Sequence, residues 1–374
     1  MTSILKALLL AAVVWTLPPG AAAHAQGGNS AHRSFQELSQ AARQARDENR
    51  EDEAISLYQQ GLKLKPEWDE GLWYLGTLLY EKDRYSEACK VLRRFVAQDP
   101  KVGYGWAMLG MDEFQTQDYG RALDHLQRGM ALGLGDHKKM ASRVFYLTAV
   151  LLTRSERFDG SMELLFSMVA SGEDTAPLVE PIGLAALRLP FLPREIPSDR
   201  REMVRMAGSA ALALQAQRFE EAEKLFTNME GTYPKEPGVH FLFGAYLLGV
   251  RPDDGIKEMM RELEISPSHV PARIRLAEEY VKQQQFDRGL SFAQEALRLA
   301  PKDASARMVL GEALLAKGDV AGGIRELEIV RDQLPDLARA RWDLFRAYTA
   351  AGRTADASRE KEEIGRLGQQ DPRH

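Results

Sequence analysis

Apolar residues along this chain recur at helical spacing in short blocks. Leu72, Leu75 and Leu79 make one stripe and Leu310 and Leu314 another, at steps that place them on one helix face. Short polar stretches such as Glu81-Lys82-Asp83-Arg84 and Ala316-Lys317-Gly318-Asp319 separate the blocks. Connections this short join antiparallel neighbours, so the pattern predicts helical hairpins. Prolines punctuate them regularly. Pro66 and Pro100 are 34 residues apart, and Pro234, Pro267, Pro301 and Pro335 follow at intervals of 33, 34 and 34. Proline cannot continue a preceding helix, so each marks the turn after a hairpin's second helix. Hairpins of this length must stack to bury their apolar faces. The predicted fold class is all-α, an α-solenoid of about nine hairpin units with an irregular Pro-rich insert.

The residue types at fixed places in the repeat carry a family resemblance. One unit has Trp106, Leu109, Gly110, Ala122 and Leu126; the unit before it has Leu72, Leu75, Gly76, Leu79, Ala88, Leu92 and Pro100. The first unit shows Ala54, Tyr58, Gly61 and Pro66. Later units have Leu276, Ala277, Tyr280, Gly289, Ala293, Ala296 and Pro301, then Leu310, Gly311, Leu314, Gly323, Leu327 and Pro335. The last has Trp342, one place away from the repeat's usual tryptophan, with Leu344, Tyr348 and Ala357. These resemble the tetratricopeptide repeat, W-x2-L-G-x2-Y, then A-x3-F, then P. The resemblance implies a right-handed superhelix of antiparallel hairpins. Small residues sit where the paired helices cross, since a bulky side chain would push the axes apart. Units near Ser142–Gly172, Ala210–Pro234 and Phe243–Met259 match less fully.

The period breaks between Ser171 and Arg201. Pro177, Pro181, Pro190, Pro193 and Pro197 forbid a long helix there, yet Ile182–Leu192 is too apolar for a flexible linker. A short helix and an extended strip packed on the solenoid are expected, with one degenerate repeat as the other reading. The division is a signal peptide at 1–25, a flexible segment at 26–34, an N-terminal array at 35–170, the insert at 171–201, a C-terminal array at 202–365 and a polar tail at 366–374.

The first 25 residues fit a secretory leader. Lys6 precedes the apolar run Ala7–Leu17, and Ala23-His24-Ala25 fits a cleavage site before Gln26. Export is expected, to a bacterial periplasm or as a secreted protein, and no later segment is long and apolar enough to span a membrane. The net charge of −5, with Lys and Arg scattered, offers no basic face for nucleic acid. Cys89 has no intramolecular partner; it is expected to be a packed thiol, with a disulfide-linked dimer as the alternative. Oligomeric state is otherwise open.

No catalytic, cofactor or metal motif emerges. Zinc and haem spacings are missing, His125 and His137 fall in different elements, and Gly133–Lys139 lacks phosphate-loop spacing. The chain is read as non-enzymatic, with no cofactor and no metal. The resemblance implies that first helices line a concave groove. At those positions stand Trp73, Tyr80, Tyr104, Met111, Phe114, Tyr146, Phe241, Arg339, Trp342 and Arg346, with Glu278 and Glu312 among their neighbours. Trp73, Tyr80, Tyr104 and Phe114 are candidates for a connected aromatic strip, and Arg339, Arg341 and Arg346 for receiving a peptide carboxylate. The expected function is a non-catalytic scaffold that holds a protein partner, as an extended peptide or a helix, and assists assembly of an envelope or secretion complex. The alternatives are a glycan or small-ligand binding subunit of a polysaccharide system and a non-catalytic subunit of an enzyme complex.

Overall fold

The structure, a computed structural model, describes residues 33–136 and 138–370. The leader at 1–25 and the last four residues lie outside the described residues. The chain divides into two compact units, residues up to Leu78 and residues from Leu79 onward.

Nineteen α-helices and no strand occur among the described residues. They run in pairs: α1 (Phe35–Asp47) and α2 (Glu51–Leu64), α3 (Asp69–Glu81) and α4 (Tyr85–Gln98), α5 (Gly103–Gln115) and α6 (Tyr119–Leu132), α7 (Lys138–Arg154) and α8 (Phe158–Ala170). A short helix, α9 (Val179–Ala186), follows alone. The pairs then resume as α10 (Arg201–Gln215) and α11 (Phe219–Thr232), α12 (Val239–Val250) and α13 (Pro252–Ile265), and α14 (Val270–Lys282) and α15 (Phe286–Leu299). The last are α16 (Ala304–Lys317) and α17 (Val320–Gln333), and α18 (Ala338–Ala350) and α19 (Thr354–Gln370). Within the second unit each pair packs on itself and on the next, which is an α-solenoid. Each punctuating proline stands two residues past the end of a second helix, as Pro301 does after α15.

A common turn closes the first helices other than α12, which runs through Arg251 directly into α13. Asn49, Asp83, Gln117, Glu156, Gln217 and Gln284 each take a left-handed backbone there, and Gly318 and Gly352 take that place in the last two hairpins. The N–H of Gln117 donates to Phe114 O (3.1 Å) and that of Asp118 to Glu113 O (2.9 Å), satisfying carbonyls at the helix end. The same cap ends α9. Arg188 is left-handed (φ 55°), its N–H donates to Ala185 O, and that of Leu189 to Leu184 O. So α9 finishes as the first helix of a hairpin does, but no second helix follows. Pro193 falls where that helix would make its first internal hydrogen bond; it has no N–H, and it holds Leu192 extended (ψ 153°).

The segment after α9 is part of the core. Leu184, Leu187 and Ile196 are buried with Met203, Val204, Phe226 and Phe243. The backbones of α9 and α10 meet at two glycines: a Cβ on Gly183 would lie 1.9 Å from Val204 O, and one on Gly208 2.0 Å from Val179 O. Beyond Leu192, a 3-10 turn at Pro193–Glu195 reaches back to the N-terminal hairpins. Arg194 donates to the Tyr119 hydroxyl and lies over the Phe114 ring at 5.8 Å, and Glu195 pairs with Arg154 at 2.5 Å.

Candidate protein-binding groove

First helices also pack on the first helices of adjoining hairpins: α5 on α7, α12 on α14, α14 on α16 and α16 on α18. This closer spacing makes them the inner row of the stack, and α9 continues that row against α7. The expected groove residues from Tyr104 onward are on this row, but they differ in what surrounds them.

Trp73 is half-buried on α3, in the first unit. In the second unit, Tyr80 packs beside Tyr85 (5.4 Å) with the Arg143 guanidinium 5.5 Å from its ring. Tyr104 lies against Phe95 at 6.1 Å, and Met111 is buried and offers no surface. Phe114 is covered by Arg194, and Tyr146 is packed on the cluster of Leu178 and Ile182. These rings from Tyr80 to Tyr146 are each half-buried against the chain's own side chains. Phe241 likewise packs on His269 at 4.7 Å.

The C-terminal candidates behave differently. Arg339, Trp342 and Arg346, successive inner-face positions of α18, line one cavity of about 860 Å³ with Val281, Glu312 and Leu315. Trp342 is 48% exposed, unusual for so large an apolar side chain. The carboxylate-receiving expectation fails here. Arg339 is held by Glu312 (Nε to Oε1, 3.1 Å; Nη2 to Oε2, 3.0 Å) and by Glu278 (3.4 Å), and Arg346 donates to Asp343. Arg341 turns the other way, onto Pro335 O (2.7 Å) and Glu360 of α19 (2.8 Å). No guanidinium of the three is spare. Burial pushes the Glu312 carboxyl up to about 7 against the pull of Arg339, and the neighbouring Asp343 adds to the rise.

Asp343 did not stand out in the sequence. Its signal was a charge inside the stripe Ala340, Leu344 and Ala347, all of which are buried. A second polar cluster was equally hidden. His240 Nδ1 is 2.6 Å from Glu258, its Nε2 is 2.9 Å from Pro234 O, and Arg261 bridges Glu258 (2.6 Å) and Glu230 (2.7 Å). The hydrogen bond to Glu258 raises the His240 pKa above the usual value. Glu230, His240 and Glu258 present ligand atoms within 4.8 Å of one another, but Arg261 already supplies the positive charge a cation would bring. Cys89 is buried, and burial, with Asp112 and Glu113 nearby, pushes its thiol up to about 11. That environment does not favour an intermolecular disulfide.

The tetratricopeptide repeat family model matches residues 39–102 and 274–328. Those two stretches carry tetratricopeptide repeats. Both matched stretches span prolines of the regular series, and the second includes Glu278 and Glu312 of the groove. Among solved structures, a MamA RS-1 double mutant is similar at 17% identity, over 46% of this chain and 98% of that one, with a TM-score of 0.42. A MamA fragment from Desulfovibrio magneticus RS-1 is similar at 19% over 46% and 97% (TM-score 0.39), and another MamA structure at 19% over 54% and 94% (TM-score 0.38). No function follows from likeness at this level. No curated protein sequence matches the chain. Tetratricopeptide repeats suggest a protein-interaction scaffold, and no described helix is long and apolar enough to cross a membrane.

Proposed function

We propose that this tetratricopeptide repeat array is an exported, non-catalytic scaffold that holds a segment of a partner protein against the inner face of its C-terminal hairpins. One observation carries the reading: Trp342 stands half-exposed against a cavity walled by α14, α16 and α18, while the inner-face rings from Tyr80 to Tyr146 are more buried among the chain's own side chains. An exposed tryptophan in a cleft is the commonest kind of anchor in a protein interface, and its truncation often costs about 2 kcal/mol or more. Export rests on the leader pattern at 1–25, and assembly of an envelope or secretion complex is the role that a non-catalytic exported array suits.

A photo-reactive residue in place of Trp342, crosslinked in the native cell, tests this. One recurrent protein adduct at Trp342, and none from the same residue at the outward Lys224, is the expected result. The same mass spectrometry should find Gln26 as the first residue. A folded protein giving no protein adduct at Trp342 would sink the scaffold reading, and a retained leader would sink export by cleavage.

A further inference from the structure

The cavity beside Trp342 is lined by a buried carboxylate with one oxygen unsatisfied. Arg339 is shared between Glu312 (2.9 Å) and Glu278 (3.4 Å), and Arg346 is held on Oδ1 of Asp343. Glu278 also pairs with Arg275 (3.1 Å), so three guanidinium groups match the three carboxyl groups, and what is left unmet lies at Asp343. Asp343 is 4% exposed, and its Oδ2 meets no hydrogen-bond donor. The group within hydrogen-bonding reach of Asp343 on the neighbouring helix is a second acid, Glu312. A buried carboxylate oxygen without a donor is unfavourable, and two adjoining carboxylates do not both stay ionised without a compensating charge.

We propose that this cavity receives one basic side chain, lysine or arginine, from a peptide segment of the partner, with its cationic head between Glu312 and Asp343 and its stem along Trp342. The inference rests on the groove reading and adds the chemistry of the ligand. Each feature of the site fits a cation better than the alternatives. A carboxylate would meet three acids whose arginines are all already engaged. A neutral apolar side chain would gain from Trp342 and Leu315 but would leave Asp343 Oδ2 without a donor. A lysine or arginine supplies that donor, and its aliphatic stem or guanidinium plane packs on the indole. The cavity, about 860 Å³, accommodates such a side chain together with the backbone that carries it.

The test pans the purified protein against a random short-peptide library displayed on phage. Recovered peptides are synthesised with blocked ends, and affinities are measured by calorimetry. Each lysine or arginine is then replaced singly by norleucine. The expected result is one basic position per peptide whose replacement weakens binding about tenfold or more. That difference should vanish in the Glu312→Gln, Asp343→Asn double variant, while Trp342→Ala weakens both peptide forms. The norleucine comparison is made on the unaltered protein and does not depend on how the variant folds. If Trp342→Ala abolishes binding but no norleucine replacement matters, the basic-residue inference is overturned and the groove stands. If no peptide is recovered, or binding ignores Trp342→Ala, both fall.

Discussion

Asp112 shows at the scale of one residue how a charge inside an apolar row behaves. It is fully buried on α5, and neither carboxylate oxygen has a hydrogen-bond partner. Burial, with the charge of Glu113 beside it, pushes its carboxyl from the ordinary 3.8 up to about 8. The folded state then holds the proton more tightly than the unfolded chain does. Stability should fall as pH rises from near 4 and level off only above about 8. Asp112→Asn keeps the shape and cannot ionise. Its melting temperature should therefore exceed that of the unaltered protein by a margin that widens from about pH 4 to pH 8, reaching several degrees, roughly 2–4 °C per kcal/mol. Melts followed by circular dichroism across that range check this, and parallel profiles would show that Asp112 does not carry the linkage. Nothing in the sequence marked it out. An aspartate within a helix reads as part of a solvated face until the neighbouring helix is known to cover it.

Among the elements, the hairpins were legible because their signals are local. A proline two residues past a second helix, a short polar turn and a small residue at the crossing act through the backbone of that same hairpin. One further regularity became visible only in the structure. Trp106, His240, Arg307 and Arg341 each donate a hydrogen bond to the carbonyl of the proline six residues earlier, although they share no chemistry beyond an N–H. The helix α9 is the instructive departure. Its Arg188 cap marks it as a hairpin's first helix, and Pro193 removes the second. Its contact with α10 depends on Gly183 and Gly208, where added Cβ atoms would collide with backbone rather than with a movable side chain. Gly183→Ala should lower stability by about 2 kcal/mol or more through overpacking. Gly120→Ala on α6, where an added Cβ meets nothing within 4 Å, should be neutral or stabilising by up to about 1 kcal/mol. Denaturation midpoints of the two variants decide this, and equal effects would show that the α9–α10 contact is not so close.

For the molecule as a whole, a solenoid is held by interfaces between neighbours, so a cut is tolerated only where little is uncovered. A fragment beginning at Asp174 keeps α9 over Met203, Val204 and Ala207, all buried against it. One beginning at Asp199 exposes them. The first should remain helical with a sharp melt, and the second should melt lower or aggregate; equal melts would mean that α9 adds nothing to the C-terminal hairpins. The same comparison of near and far separates what could be read from the sequence and what could not. The sequence alone determined the repeat length, the all-helical class and the inner-face positions of Arg339, Trp342 and Arg346, because a 34-residue period constrains each hairpin through its own turn and crossing. Only the tertiary structure decided that Phe114 lies under Arg194, that Arg339 and Arg346 are already paired, and that Glu312 stands against Asp343. Apart from the Arg346–Asp343 pair within α18, those facts join residues from different hairpins, some of them 75 positions apart as Arg194 and Tyr119 are. The exposure and charge of a site are sums over such distant neighbours, whereas a turn or a helix face is fixed by residues a few places away.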